Sequence, residues 1–150
     1  MKLEAIAILA LVCLDQFTKY LAVTYLEPIG TISIIPGVFS FTYLINDGMA
    51  FGMLRGHRWL FVVLTVVILG FMYSYYRTIM KDKRCNLLRI ALILIAAGAV
   101  GNLIDRVLNG YVVDFLHFTL INFPVFNLAD CFVCIGAFLV AIVFLFIIKE

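Results

Sequence analysis

Long runs of apolar residues alternate with short polar stretches along the whole chain. The four longest apolar runs extend over about residues 3–26, 59–76, 87–107 and 126–148. A helix needs roughly 20 mostly apolar residues to cross a bilayer, and each run approaches that length. The pattern therefore predicts four membrane-spanning helices, which with their connections form one domain over residues 1–150.

The composition supports a membrane protein and excludes another class. Apolar residues make up 65% of the chain and charged residues 13%, whereas soluble domains average about 45–50% and about 25%. The formal net charge of +2 is small, and no basic stripe with interleaved aromatic residues is present. We therefore expect no nucleic-acid partner.

The predicted topology depends on the connection between the second and third apolar runs. Its residues 77–89 contain the only concentrated basic stretch, with Arg77, Lys81, Lys83, Arg84 and Arg89. By the positive-inside rule this connection and both termini face the cytoplasm. The connections at about 27–58 and 108–125 then lie outside.

The two outer connections differ in pattern. Residues 31–44 alternate aromatic and small polar residues around Pro36-Gly37, which predicts a small β-sheet within the outer region at about 30–57. Residues 111–123 are too apolar for a free loop and too short to cross the bilayer. We expect this second connection to lie in the membrane interface.

Three of the predicted helices place polar residues on one face. In the first, Asp15 and Lys19 are four residues apart, in the order that favours an ion pair. In the others, Gly98, Asn102 and Asp105 form a stripe with Arg106 turned toward water, and Asn127 and Asp130 share a face. With the predicted topology these groups gather near the outer leaflet, where Asp114 also lies.

Asp114 and Asp130 are the strongest candidates for chemistry, because carboxylates beside lipid are costly and usually functional. Two aspartates that share one proton can activate water without a metal ion. Cys131-x-x-Cys134 is a weak metal or redox signal, because neither histidine has ligand spacing to it. We therefore expect no metal and no cofactor.

Structural roles remain open for each of these residues. Asp15 and Lys19 form a supporting ion pair in one interpretation, and Asp105 with Arg106 forms a salt bridge at a helix end. Asn46 fits an ordinary turn. The two candidate carboxylates are simply solvated by lipid headgroups in this interpretation.

Five motifs in order resemble those of the bacterial lipoprotein signal peptidases, also called signal peptidase II. They are Asp15-Gln-Phe-Thr-Lys19, Asn46-Asp-Gly-Met-Ala-Phe-Gly52, Ala97-Gly-Ala-Val-Gly-Asn-Leu-Ile-Asp-Arg106, Val112-Val-Asp-Phe115 and Phe126-Asn-Leu-Ala-Asp130. The resemblance implies a mainly α fold: a four-helix transmembrane bundle with a small extracytoplasmic β-sheet and an interfacial helix. It also implies an aspartic endopeptidase of the bacterial inner membrane that cleaves lipid-modified prolipoproteins before the diacylglyceryl-modified cysteine.

The same resemblance assigns roles to single residues. Asp114 and Asp130 match the catalytic pair. The positions that hold this pair, bind substrate or support the site are matched by Asn46, Gly48, Asn102, Arg106, Asn127, Asp15, Lys19 and Asp105. The expected partners are lipid-modified prolipoproteins and membrane lipids, and we expect a monomer.

The sequence departs from the family pattern at two positions. Met49 stands where a small residue is common and could narrow the substrate groove, and Cys131 stands where serine is common.

The alternative function is that of a small transporter or scaffold, in which Asp15, Lys19 and Asp105 relay protons or ions. A relay should reach both membrane faces, yet we expect no ionisable group in the inner halves of the helices. An adaptor without chemistry is a third possibility.

Overall fold

Four long helices dominate the structure, a computed structural model that describes residues 2–48, 56–79 and 85–147. They are α1 (Lys2–Leu21), α2 (Arg58–Ile79), α3 (Asn86–Leu108) and α4 (Leu128–Ile142), and α1 and α4 continue as π-helical turns over Ala22–Leu26 and Val143–Ile147. All four are long and apolar enough to cross a membrane. The predicted membrane bundle is confirmed, and the largest shift from a predicted boundary is at the end of α2, at Ile79 rather than residue 76.

Helix α3 is the centre of the bundle, because α1, α2 and α4 all pack against it. Its approach to α4 depends on glycine. A Cβ on Gly98 would overlap the backbone oxygen of Ala129, and one on Gly136 would lie 2.7 Å from the backbone oxygen of Ala91. Small residues allow such close contact between helices in lipid, where no hydrophobic driving force pulls helices together. The start of α4 is thereby held against the polar stripe of α3.

A three-stranded antiparallel sheet caps one end of the bundle, which we call the sheet end. Its strands β1 (Thr31–Ile35), β2 (Phe39–Asn46) and β3 (Val112–Phe118) lie in the order β1-β2-β3. β1 and β2 form the hairpin predicted around Pro36-Gly37, and Gly37 has the positive φ of 73° that such a turn needs. The predicted small sheet is confirmed.

The second outer connection, residues 111–123, contains a strand that the sequence pattern did not predict. Its residues 112–118 form β3, which pairs with β2. Val112 to Phe115 are buried at four consecutive positions, so they lack the alternation that reveals a strand. The described residues contain no helix besides α1 to α4, so the expected interfacial helix is not found in them.

An apolar cluster fixes the sheet to the end of α1. Val113 and Phe115 of β3 pack with Ala22 and Leu26 of the π-helical turn. Because side chains alternate across a strand, burying Val113 and Phe115 on one face turns Asp114 to the other. The sheet therefore presents Asp114 toward the start of α4, as the hydrogen bond from Asn127 to Asp114 shows.

Candidate active site

Asp114 lies in the middle of β3 and is only 1% exposed. Its Oδ2 accepts a hydrogen bond from Asn46 Nδ2 at 2.8 Å, and its Oδ1 accepts one from Asn127 Nδ2 at 2.6 Å. Burial raises the pKa of Asp114 to about 7; the bond from Asn46 opposes this rise and the nearby charge of Asp130 adds to it. Asp114 therefore holds a proton far more readily than an exposed aspartate.

Asp130 occupies the first turn of α4 and is partly exposed. It forms a capping box with Asn127: Asn127 Oδ1 accepts from the Asp130 backbone N–H at 3.0 Å, and Asp130 Oδ2 accepts from the Asn127 backbone N–H at 3.1 Å. The positive end of the helix dipole favours a charged carboxylate at this position. The two aspartates thus have different environments: Asp114 is buried in the sheet, and Asp130 is partly exposed at a helix N-terminus.

Two asparagines connect the aspartate pair, by which we mean Asp114 and Asp130. The Nδ2 of Asn127 donates to Asp114 and also to Asn102 Oδ1, the second bond being 3.1 Å long. Asn102 Nδ2 in turn donates to Asp130 Oδ1 at 2.8 Å. The polar residues predicted to gather from the third helix, the second outer connection and the fourth helix are therefore in contact.

A buried ion cluster of Asp15, Lys19 and Asp105 supports the two asparagines. Lys19 Nζ lies 3.0 Å from Asp15 Oδ2 and 2.8 Å from Asp105 Oδ2, and it donates to Asn102 Oδ1 at 2.9 Å. All three members are at most 3% exposed. The predicted Asp15–Lys19 pair is present, whereas Asp105 pairs with Lys19 rather than forming a helix-end salt bridge with Arg106.

The ion cluster also fixes the backbone immediately before each aspartate of the pair. Asp105 Oδ2 accepts from the N–H of Val113 at 3.3 Å, and Asp15 Oδ1 accepts from the N–H of Ala129 at 2.9 Å. Val113 precedes Asp114, and Ala129 precedes Asp130. One cluster therefore sets the position of both segments that carry the pair.

Gln16 is a member of this site that was not among the candidate residues. Its Nε2 donates to Asp15 Oδ2 at 3.2 Å, Asp105 Oδ1 at 3.1 Å and the backbone oxygen of Gly101 at 3.1 Å. The sequence offers one signal that identifies Gln16: it is an amide side chain next to Asp15 within an apolar helix. Gln16 thus joins α1 to the polar stripe of α3.

Arg106, which the helical stripe predicted to turn toward water, makes contacts within the bundle. It is partly buried, its guanidinium lies 5.2 Å from the ring centroid of Phe61, and its Nη1 donates to the backbone oxygen of Asn102 at 3.4 Å. It therefore stands beside the polar network, with most of its donors uncommitted in these contacts.

Gly48 acts on the site through Asn46. Its backbone N–H donates to Asn46 Oδ1 at 3.1 Å, which leaves Asn46 Nδ2 directed at Asp114. Met49 and the last three residues of the same motif, 50–52, lie outside the described residues. Cys131, the other departure from the family pattern, follows Asp130 in α4 and is partly exposed.

Comparison with known proteins identifies the family. A family model described as "Signal peptidase (SPase) II" matches residues 7–146. The lipoprotein signal peptidase of Microcystis aeruginosa is 52% identical over 134 residues, 87% of this chain and 83% of that protein. That of Brevibacillus brevis is 49% identical over 127 residues, 84% of this chain and 83% of that protein.

Solved structures agree with the sequence comparison. One described as a bacterial membrane enzyme structure by the in meso method at 2.3 Å resolution superposes with a TM-score of 0.84 at 35% identity, over 97% of this chain and 88% of that one. A second, described likewise at 1.9 Å, gives a TM-score of 0.83 at 36% identity, over 97% and 94%. The chain is a multi-pass membrane protein with this fold, and it belongs to the signal peptidase II family.

Proposed function

We propose that this protease removes signal peptides from lipoproteins as an aspartic endopeptidase, with Asp114 and Asp130 as its catalytic residues. The family and its lipoprotein signal peptidase members support the cleavage of signal peptides from lipoproteins. The aspartic mechanism is supported by one observation above all. Two carboxylates from separate segments are joined through Asn127 and Asn102, and both segments are fixed by one ion cluster.

The unequal environments of the pair suggest unequal roles. Asp114 is buried and has a pKa of about 7, so it carries the shared proton at rest. Asp130 is partly exposed and lies at a helix N-terminus, so it is the charged member. Two nearby carboxylates titrate as a pair, which keeps one proton between them near neutral pH.

The reaction then needs only water. Asp130 accepts a proton from the attacking water while Asp114 donates its proton to the oxygen of the scissile carbonyl, which gives a neutral tetrahedral intermediate. When the intermediate collapses, Asp130 passes its proton to the departing amine and Asp114 takes back the hydroxyl proton. The pair returns to its starting state without a covalent intermediate, and no metal ion or cofactor is needed.

Substrate binding falls to residues beside the pair. Arg106 has donors available for backbone carbonyls of the peptide, and it is held in place by Phe61 and Asn102. Asn46 keeps Asp114 correctly oriented and is also an amide donor close to the developing oxyanion. Cleavage before a diacylglyceryl-modified cysteine suits this location, since a lipid-anchored residue reaches the site laterally from the bilayer.

The orientation is part of this proposal. The basic segment at 77–89 favours a cytoplasmic position for the end of the bundle opposite the sheet, together with both termini. The sheet end then lies at the outer leaflet of the bacterial inner membrane, where lipid-modified prolipoproteins present their cysteine. One bundle contains both aspartates, so a monomer suffices for the chemistry.

The alternative function, a transporter or scaffold that relays protons or ions, is less well supported. One of the arguments against it was nevertheless wrong. The inner halves of the helices do contain ionisable groups, because Glu4 of α1 and Arg89 of α3 form an ion pair of 2.9 Å. Asp15 lies eleven positions after Glu4, which is roughly 16 Å along a helix. No acidic, basic or histidine side chain lies between them in α1. A continuous proton path is therefore missing from this helix.

The test uses purified wild-type protein, Asp114→Asn and Asp130→Asn with a lipid-modified prolipoprotein peptide, followed by gel shift and mass analysis of the new N-terminus. Each variant should lose about 10²–10⁴-fold in cleavage rate, and the wild-type product should begin at the modified cysteine. Glu4→Gln, at the opposite end of the bundle, is the matched control and should cleave normally. Wild-type turnover by either aspartate variant, or activity lost to a chelator and restored by zinc, would reject the aspartic mechanism.

A further inference from the structure

A groove separates α1 from α2 at the end of the bundle opposite the sheet. Its volume is about 370 Å³, within the range of small-molecule sites. Helix α3 forms its floor and α1 and α2 its walls, which are lined mainly by the apolar residues Ala5, Ile8, Leu69, Met72, Ile93 and Ala96. The aspartate pair, Arg106 and the ion cluster do not line it. The groove is thus distinct from the candidate active site.

The polar residues of this groove are confined to its mouth. Glu4, Tyr73, Tyr76 and Arg77 lie there, near the ends of α1 and α2. Arg77 folds back along α2: its Nη1 donates to Tyr73 Oη at 3.0 Å, and its guanidinium lies 5.8 Å from the ring centroid. The Arg77 side chain is exposed, so its remaining donors are available to a group outside the protein.

Charge at the mouth favours an anion. Arg89 lies on α3 beside the mouth and pairs with Glu4, so these two charges largely offset each other. Arg77 then gives the mouth a positive balance. Basic side chains between membrane helices at their cytoplasmic ends are typical of sites for anionic lipid headgroups.

We propose that the groove binds an anionic phospholipid of the cytoplasmic leaflet, with an acyl chain between α1 and α2 and the phosphate at Arg77. An acyl chain fits an apolar cleft between two membrane helices, and a guanidinium fits a phosphate with paired, charge-assisted hydrogen bonds. The leaflet assignment rests on the proposed orientation. The site itself does not depend on the proposed catalytic mechanism.

The headgroup contact is tested by native mass spectrometry of the full chain in neutral detergent. The probes are phosphatidylglycerol and phosphatidylcholine with the same acyl chains. Wild type should bind one phosphatidylglycerol in preference to phosphatidylcholine, and Arg77→Gln should weaken that binding roughly fivefold, as expected for one basic residue near a lipid surface. Arg58→Gln, which removes an arginine at the sheet end, is the matched control and should bind like wild type.

The acyl-chain contact is tested by filling the groove. Ala96→Phe on the floor and Ala5→Phe on the wall should each abolish the preferential binding and leave cleavage in the same detergent unchanged, which also shows that the variants are folded. Equal binding of both lipids, full binding by Arg77→Gln, or loss of binding only in Arg58→Gln would overturn the proposal. Lost cleavage in both groove variants without a change in lipid binding would instead assign the groove to the substrate's signal peptide.

Discussion

The two ends of the bundle differ in how their charged side chains are buried and paired. At the sheet end, Asp15, Lys19 and Asp105 are almost fully buried, and hydrogen bonds extend from them to both aspartates of the pair. At the opposite end, Glu4 and Arg89 form an ion pair in the described part of the chain, with side-chain exposures of 19% and 24%. The contrast indicates that buried charge is concentrated where backbone segments must be held rigidly, and that the other end tolerates a looser arrangement.

Removing the cation from each end should produce the largest difference. Lys19→Met leaves Asp15 and Asp105 buried without a counter-charge, and removing one partner of such a buried pair destabilises a fold by about 3–5 kcal/mol. Arg89→Met should cause a much smaller loss, because water screens a partly exposed pair. Thermal and denaturant unfolding of both variants in one detergent measures this, and equal losses would contradict the contrast.

Helix packing at the sheet end should be sensitive to a single methyl group. Gly98→Ala would force its Cβ against the backbone of Ala129, directly before Asp130, so we expect a loss of about 1–3 kcal/mol in stability together with slower cleavage. Gly70→Ala on α2 is the matched control, since nothing lies within 4 Å of the added methyl group. Normal cleavage by Gly98→Ala would show that the position of Asp130 is less strictly fixed.

Stability should depend on pH through Asp114. Its pKa of about 7 in the folded protein lies above the ordinary value of 3.8, so the folded state keeps a proton that the unfolded state loses. The stabilising contribution is therefore complete below about pH 4, falls by about 1.4 kcal/mol per pH unit as pH rises, and is gone above about pH 7. Unfolding measured across this range should show the slope in wild type and not in Asp114→Asn. An identical slope in both proteins would assign it to another group.

The smallest effect should come from the hydrogen bond between Asn46 and Asp114. This bond favours the charged carboxylate, so Asn46→Ala should raise the pKa of Asp114 further. A hydrogen bond to a charged group contributes about 1.5 kcal/mol, which corresponds to roughly one pH unit. The alkaline limit of the cleavage rate should move upward by that amount. Thr42→Ala on the same strand is the control and should not change this alkaline limit. A lower alkaline limit in Asn46→Ala would contradict the proposed effect of this hydrogen bond on the pKa of Asp114.

Much of the fold follows directly from the sequence. The four helices are predictable from the sequence because a lipid-facing helix needs a long apolar run whatever it packs against. The stripe of Gly98, Asn102 and Asp105 is predictable because helical spacing alone puts these residues on one face. The assignment of Asp114 and Asp130 came from polar groups in apolar surroundings and from the family resemblance.

Other features depend on contacts between distant segments and leave little local signal. β3 is covered on both faces at Val112 to Phe115, so it lacks strand alternation. The Glu4–Arg89 pair joins residues 85 positions apart, and each residue alone looks like an ordinary helix end. The direction of Arg106 depends on Phe61 of another helix. Helical periodicity predicts which residues share a face, and it does not reveal what a neighbouring helix provides there.

The central claim is that Asp114 and Asp130 act as one unit with a single proton held by Asp114. Infrared difference spectroscopy of the protonated carboxyl band across pH tests it most directly, with Asp114→Asn identifying the band. Wild type should lose one such proton with a midpoint near pH 7, and Asp130→Asn should lower that midpoint, because it removes the like charge that raises the pKa of Asp114. A band that persists in Asp114→Asn, or a midpoint unchanged in Asp130→Asn, would contradict the account.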